Sequence, residues 1–406
     1  MPKPGFSELI SLSRAKEILF SLAVELPEER VPLSEALFRV LSRDITSPIS
    51  VPPFKRSAMD GFAVVASSTF GAKAESPVSL RFLGKVSAGE VFPRRVSEGE
   101  CVEISTGAPL PEGADAVVMV EHTEREEGTV LLYRAVAPGE NVSGVGSDIK
   151  KGERVLSKGR SLKPKDTGVL AAIGITEVPV KRRPKVALLI TGNELLPPGK
   201  ELSPGKIYDI NSRTLTDSLR GIGASVIDLG IAPDDKGEIE GRLKKALPEA
   251  DLLLMTGGSS LGEEDLTLEV ARSLGEVLVH GVAVKPGKPV VIARVSGKPF
   301  LGLPGHPTSA LSNFHILVEP LIARMLGMSL RKRRVEAVLT RKVASTIGRY
   351  EFLSVSLEEK GDVFYAHPIM KGSSAITTIA LGDGFIGISE NTEVLEKGAK
   401  VIVELF

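Results

Sequence analysis

The sequence predicts an α/β multidomain protein: a central doubly wound, mostly parallel sheet, a β-rich insertion, a small mixed N-terminal part and a C-terminal β domain. Three observations carry that prediction. At 406 residues the chain exceeds the size at which one core stops growing. From residue 185 to about 327, short apolar runs alternate with helix-like segments, which specifies βαβ units. On either side of that region the pattern changes to short strands.

Taken in order, residues 7–26, SELISLSRAKEILFSLAVEL, space Leu9, Leu12, Ile18, Leu19 and Leu22 along one face of an amphipathic helix. VPLSEALFRVL reads as a second, shorter helix. SPISVPPF then breaks the pattern with three prolines and marks a boundary near residue 51. From 52 to 146 short strands are separated by Gly and Pro, as in VSLRFLGKVSAGEVF and GTVLLYRAVAPGENV. Residues 147–180 return to a mixed texture, with a helix in KPKDTGVLAAIGI capped by Asp166 or Thr167. KVALLIT, SVIDLGI, DLLLMTGG and PVVIARV are the strands of the α/β region, and NSRTLTDSLRGIG, DDKGEIEGRLKKAL and EDLTLEVARSLG its helices. From about 331 to the end, RVEAVLTRKV, EFLSVSLEE, DVFYAHPIM and KVIVELF alternate apolar and polar residues as β-strands do.

Composition bounds the function. Lys plus Arg equal Asp plus Glu at 51 each, so no global field recruits nucleic acid or an acidic membrane face. Trp is absent and aromatics make up 4%, which argues against base-stacking platforms. The single cysteine, Cys101, rules out an intramolecular disulfide framework. The N-terminus lacks a basic segment followed by an apolar core, and no apolar run approaches the ~18 residues of a membrane helix. A cytoplasmic protein with neither membrane nor nucleic-acid partner is expected.

Four loops fall where strands of the α/β region should end: LLITGNELLPPG, LGIAPDD, LMTGGSSLGEEDLT and FLGLPGHPTSA. Ligands of such sheets bind beyond the strand C-termini. Gly192, Gly257, Gly258 and Gly305 let backbone approach a ligand closely, while Glu194, Asp234, Asp235 and Asp265 offer oxygens. Glycine turns attract anions and carboxylates repel them. The conflict disappears if the ligand is a phosphate carrying Mg²⁺, because that cation takes one or two carboxylates plus substrate phosphates. The alternative is ordinary turns with Asp265 capping a helix. Neither GxxxxGK[ST] nor GxGxxG occurs at these turns, so a nucleotide is not held in either common way.

HGVAVKPGKPVVIA supplies Lys285 and Lys288 around Pro286 and Gly287, either an oxyanion site or two solvated turn lysines. In GLPGHPTSA, Pro304 and Pro307 fix the backbone, and Pro307 suits the first helical position, leaving N–H groups near Thr308 and Ser309 for an anion. His306 is either an acid–base group or a solvated loop residue. The histidines show no metal-site spacing, and Ser259 and Ser260 do not sit in a nucleophile elbow.

Together, PPFKRSAMDGFAV, ISTGAPLPEGADAVVM, GENVSGVGSDIKKGE, RPKVALLITGNEL, IYDINS, TGGSSLGEEDLT, VAVKPGKPV and GLPGHPTSA resemble one family, in its order and over nearly the whole chain. That family is the molybdopterin molybdenumtransferases, MoeA and the E domain of gephyrin. The resemblance implies a MogA-like, molybdopterin-binding α/β domain as domain III (181–328). It implies domain I from 1–51 plus 147–180, domain II as the β insertion 52–146, and domain IV over 329–406. It also implies a homodimer whose cleft joins domain III of one subunit to domain II of the other. The implied reaction takes adenylylated molybdopterin and molybdate (or tungstate), cleaves the phosphoanhydride with Mg²⁺ and releases AMP. The implied catalytic residues are Asp60, Thr106, Asp148, Asp234, Lys285 and Lys288. Glu194 and Asp265 would hold metal, and Gly192, Gly257, Gly258, Ser259, Pro304, Gly305, His306, Pro307 and Thr308 would line the pterin site. Asp60, Asp148 and Thr106 rest on the resemblance alone. Asn193 stands where the family usually has aspartate, His306 where asparagine is common, and Lys55 where aspartate is frequent. A molybdopterin adenylyltransferase is the competing enzyme, and it is also the partner that the resemblance offers for delivering the pterin. A gephyrin-like scaffold is the competing non-enzyme.

Overall fold

The computed structural model describes residues 9–257, 265–330, 332–372 and 374–406. Helix α1 (Leu12–Ser21) begins where Ser11 Oγ accepts the Arg14 N–H at 3.2 Å, satisfying one of the donors that a first turn leaves unpaired. It is shorter than the pattern over 7–26 and buries Leu12, Ala15 and Leu19. The second expected helix does not form. Val31 and Pro32 end strand β1 (Glu28–Pro32), and a single 3₁₀ turn, Leu33–Glu35, follows. Neighbouring chain claims the backbone there: Leu33 N–H donates to Thr176 O, Phe38 N–H to Leu162 O and Leu41 N–H to Arg160 O. Tertiary hydrogen bonds override the helical spacing.

Strands β2 (Gly61–Val64), β3 (Val78–Val86), β4 (Glu100–Ile104), β5 (Ala116–Met119), β6 (Thr123–Glu126) and β7 (Thr129–Leu132) form a sheet in the order β5-β2-β4-β3-β7-β6. The β3–β4 pair is parallel and its other ladders are antiparallel. Alternate residues enter different cores: Phe62, Val64 and Val118 on one face, Ala63, Val102 and Val117 on the other. Cys101 is buried here, which pushes its thiol up to about 12 and leaves it inert at neutral pH.

Helix α2 (Pro164–Ala172) precedes β8 (Glu177–Lys181), which pairs antiparallel with β1. That ladder and the Val51–Ile149 bridge bring the chain before and after the β-rich stretch together over Val31, Leu41, Leu162, Leu170 and Val180. Asp166 lies in the first turn of α2 and is 2% exposed. Its Oδ1 accepts from Arg160 at 2.7 Å and its Oδ2 from the Lys163 N–H at 2.9 Å.

In the α/β region, β9 (Lys185–Thr191), α3 (Asn211–Gly221), β10 (Ser225–Ala232), α4 (Lys236–Ala246), β11 (Leu252–Thr256) and α5 (Leu266–Leu274) follow the expected alternation. Next come β12 (Glu276–His280), β13 (Val284–Lys285), β14 (Val291–Val295), β15 (Lys298–Leu303), α6 (Pro307–Asn313) and α7 (Glu319–Leu326). The sheet order is β10-β9-β11-β15-β14-β12. The first four of these run parallel, and β14 and β12 complete it antiparallel. Both faces are covered: α4 and α5 pack through Ile239, Leu243 and Val270 on one, and α3 and α7 through Leu215, Leu219 and Leu321 on the other. This is the doubly wound arrangement.

The C-terminal strands are β16 (Arg334–Leu339), β17 (Tyr350–Lys360), β18 (Val363–Pro368), β19 (Gly384–Ile388) and β20 (Lys400–Leu405). They pair as β17-β18-β16-β20-β19 and back to β17, a closed barrel with no free edge around that ring. Strand β13 from the α/β region adds to β17 in parallel. Among the described residues no helix is long and apolar enough to cross a membrane.

Burial works against the Asp166 charge, yet Arg160 and the Lys163 N–H outweigh it and hold the carboxyl below the ordinary aspartate range. A lowered folded-state value means that the stabilisation is complete above the unfolded value and fades as pH falls through the folded one. Asp166→Asn should therefore cost about 1–2 kcal/mol at neutral pH. The gap to wild type should close as pH drops below about 4, as measured by urea unfolding followed by circular dichroism.

Candidate active site

The C-terminal ends of four parallel strands meet along one edge. The ladders pair Thr191 with Ala232, Ile190 with Thr256, and Thr256 with Leu303. The glycine and acid loops read from the sequence leave from these ends. Backbone packing there is tight. A Cβ on Gly257 would sit 2.1 Å from Thr191 Oγ1 and 2.4 Å from Thr191 O, and Gly257 has φ +128°. A Cβ on Gly305 would sit 3.4 Å from Gly257 Cα, an ordinary contact. Thr267 Oγ1 donates to Gly257 O at 3.1 Å, and Asn211 Nδ2 donates to Gly305 O at 2.7 Å. Both side chains are buried, so these turns are held from beneath.

The acids lie above this floor. Glu194 is exposed and folds back over Gly192, where its Oε2 comes within 2.7 Å of the space a Cβ would take. Asp234 Oδ2 accepts the Asn193 N–H at 3.2 Å, and Asn193 Oδ1 accepts the Asp234 N–H at 3.1 Å. An aspartate at 193 could also accept that bond, so the asparagine keeps the geometry and removes one negative charge beside Asp234. Asp235 caps α4 by accepting the Glu238 N–H at 2.8 Å. Asp265 caps α5 through Oδ1 and Leu268 N–H, and its Oδ2 lies 3.3 Å from His280 Nε2. The capping role and a ligand role are thus compatible for Asp265, since one oxygen serves each direction. Gly258 and Ser259 lie outside the described residues.

The Lys-Pro-Gly-Lys turn enters the same edge, because it precedes β14, which runs antiparallel to β15 with Val291 opposite Gly302. It is bound to the last turn of α6. Asn313 Nδ2 donates to Gly287 O at 3.1 Å, and Ser312 Oγ to Pro286 O at 3.4 Å. A Cβ on Gly287 would lie 2.1 Å from Asn313 Nδ2, so glycine is obligatory. Lys285 Nζ pairs with Glu351 Oε2 at 3.1 Å. Pro307 occupies the first turn of α6 with His306 as N-cap residue, as its position after Gly305 predicts. Pro304 ends the preceding strand region, and Thr308 Oγ1 turns to Ala375 O at 3.4 Å.

Asp60 and Thr106 meet in the β-rich part, where Asp60 Oδ1 accepts the Thr106 N–H at 2.8 Å. Asp60 lines a cleft of about 370 Å³ with Lys85, Glu103 and Arg125. Asp148 is exposed beside the Val51–Ile149 bridge. Among the described residues, no hydrogen bond or ion pair joins residues 52–146 to residues 185–330. One chain therefore holds two groups, Asp60 with Thr106, and the strand-end edge. A larger cleft of about 770 Å³, lined by Phe38, Arg160, His315 and Glu319, contains none of the candidate residues.

Asn211, Thr267, His280 and Glu351 were not singled out by sequence reasoning. Asn211 lies inside the quoted IYDINS and His280 opens HGVAVKPGKP, but neither phrase reveals which carbonyl or carboxylate its side chain meets. Among the described residues no Lys or Arg pairs with Glu194, Asp234 or Asp265. Among the described residues, no set of three or more His, Cys, Asp or Glu converges there as a ready cage. A sparse set of hard carboxylate oxygens fits Mg²⁺ sharing its shell with substrate phosphates.

Comparison with known proteins covers the chain in three parts. Residues 10–174 match the MoeA N-terminal region (domain I and II), 187–324 a probable molybdopterin binding domain, and 336–406 the MoeA C-terminal region (domain IV). A molybdopterin molybdenumtransferase of Haemophilus influenzae is 36% identical over 98% of this chain and 99% of that protein. One of Bacillus subtilis is 34% identical over 93% of this chain and 89% of that protein. A solved molybdopterin biosynthesis MoeA structure from Pyrococcus horikoshii is 45% identical with a TM-score of 0.86, over 98% of this chain and 99% of the other.

The two glycines at the edge should respond differently to a methyl group. Gly257→Ala has no space and the wrong φ, and should cost roughly 2–4 kcal/mol. Gly305→Ala meets ordinary contact and should stay within about 1 kcal/mol of wild type. Thermal unfolding of the two variants side by side measures both.

Proposed function

Because the chain belongs to the MoeA family, we propose that it is a molybdopterin molybdenumtransferase, an enzyme of molybdenum cofactor biosynthesis acting on molybdopterin and molybdate. The observation that carries this reading is the end-to-end likeness, 36% identity over 98% of the chain to a protein of that name. The converging loops support it chemically. The pterin arrives adenylylated, water attacks its phosphoanhydride and AMP leaves, and molybdate binds the two dithiolene sulfurs while one of its oxygens departs as water with the two thiol protons. Tungstate, a tetrahedral dianion of nearly equal size, is an acceptable substitute.

The backbone at Gly192, Gly257 and Gly305, together with His306, Pro307 and Thr308, receives the pterin phosphate. Glu194 and Asp265 would hold Mg²⁺, with Asp234 beside them. That ion, when bound, neutralises phosphate charge and polarises the anhydride. Lys285 and Lys288 hold the oxyanion or the departing phosphate as point charges. Asp265 is kept in one rotamer by its cap bond and by His280, so positioning contributes more than proton transfer. Asp60 and Thr106 of domain II complete the cleft from a second subunit, which accounts for one chain keeping the two groups apart, and Asp148 of domain I serves the same reaction. On this reading domain I is 1–51 plus 147–180, domain II 52–146, domain III 181–328 and domain IV 329–406. The enzyme works in the cytoplasm and receives its pterin from an adenylyltransferase.

Purified protein given adenylylated molybdopterin, molybdate and Mg²⁺ should release AMP and form cofactor without consuming ATP. Chelation of divalent metal should slow AMP release by about 100-fold or more. A shared cleft makes a sharper demand. Asp60→Ala and Glu194→Gln should each abolish AMP release, and co-expression of the two should restore about a quarter of wild-type activity, through mixed dimers with one intact site. No restoration would mean that both residues serve a cleft within one subunit, and would refute the composite cleft.

A further inference from the structure

Lys285, which the proposed function assigns to the incoming oxyanion, already faces an anion. Its Nζ lies 3.1 Å from Glu351 Oε2, and the two residues are register partners in the β13–β17 ladder. The same carboxylate oxygen accepts the Ser345 hydroxyl at 2.9 Å. Glu351 is 7% exposed, and the next two residues of its strand, Phe352 and Leu353, are buried and apolar. A carboxylate sunk among such neighbours pays heavily in lost hydration unless its partners compensate. Packing of the barrel would be served better by an apolar side chain. The ammonium and the hydroxyl are the compensation, and the ammonium comes from β13, the strand that the α/β region contributes to the barrel sheet.

We propose that Glu351 is a positioning residue of the anion loop. It acts as resident counter-anion to Lys285, fixing the ammonium at the strand-end edge and setting by competition how tightly the loop takes an oxyanion. This rests on the reading of Lys285 as an anion-binding residue. A dianion approaching Lys285 Nζ meets the Glu351 charge at nearly the same range, so the two anions share one cation at a repulsive cost. Removing the glutamate charge leaves the whole field of the ammonium to the ligand. The barrel thereby tunes a loop that belongs to the α/β sheet.

The test is calorimetric titration of the full-length protein with sodium molybdate. Glu351→Gln should bind molybdate about three- to five-fold more tightly than wild type, the range that a half-exposed pair supports. Glu351→Met, an apolar side chain suited to a buried barrel position, should tighten binding to a similar degree. Glu351→Asp keeps the charge and should stay near wild type. A merely structural role would weaken binding in all three, because a disturbed loop holds nothing better. Unchanged or weaker binding in both the Gln and Met variants overturns the inference. Lys285→Ala should weaken molybdate by about ten-fold or more. If it does not, the anion-binding reading of Lys285 fails, and that result is distinct from a failure of the Glu351 proposal.

Discussion

The whole edge depends on one close approach of backbone to backbone. Gly257 leaves β11 against Thr191 at the end of β9, with no room for a side chain between them. Gly305, leaving β15, packs onto Gly257 in turn. Three adjacent strand ends are thereby drawn together before any side chain contributes. The helices that follow both start at this edge: Thr267 in the first turn of α5 reaches Gly257 O, and Pro307 opens α6 two residues after Gly305. Buried Asn211 and Thr267 answer the carbonyls of the two glycines, and the Gly257 N–H donates to Leu303 O, so the floor of the edge satisfies its own backbone.

A second constraint links this edge to the barrel. The Lys-Pro-Gly-Lys turn is fastened on one side by Asn313 and Ser312 of α6 and on the other by the short β13–β17 ladder. It is therefore shared by two sheets with separate cores. A loop held at both ends gives up little entropy when a ligand arrives, which is what preorganised binding requires. Closure of the barrel serves the same purpose, since β17 has partners on both sides and cannot drift from β13.

The α/β alternation, the position of each loop and the β texture of both flanks are legible in the sequence because they depend on local period and on glycine placement. The helix expected over 31–41 fails because its amides are taken by Thr176, Leu162 and Arg160, far along the chain. Barrel closure is equally hidden, since no local pattern tells which strand closes the ring. The site divides in the same way. Glycines and acids at strand ends announce themselves. Their partners do not: Lys285 meets Glu351 across 66 positions and Asn211 meets Gly305 across 94. His280 reaches Asp265 over 15 positions that include a whole helix. Distance in sequence, rather than weakness of the interaction, makes these contacts unreadable.

The charges at the edge are balanced unevenly, and that has a consequence for how ligands bind. Glu194 and Asp234 have no basic partner among the described residues, whereas Lys285 is neutralised by Glu351. On the proposed reading, such an edge presents acids to solvent and withholds part of its positive charge. An anion arriving alone meets repulsion from the acids and competition at the lysine. A cation bound at the acids cancels the first of these, so it raises affinity for the anion. By linkage the anion raises affinity for the cation by the same factor. The overall neutrality of the chain points the same way, because with 51 positive and 51 negative side chains no remote field substitutes for this local coupling. On that same reading, the glycine turns and carboxylates that look contradictory in a peptide string become two halves of one receptor for a metal-bridged phosphate.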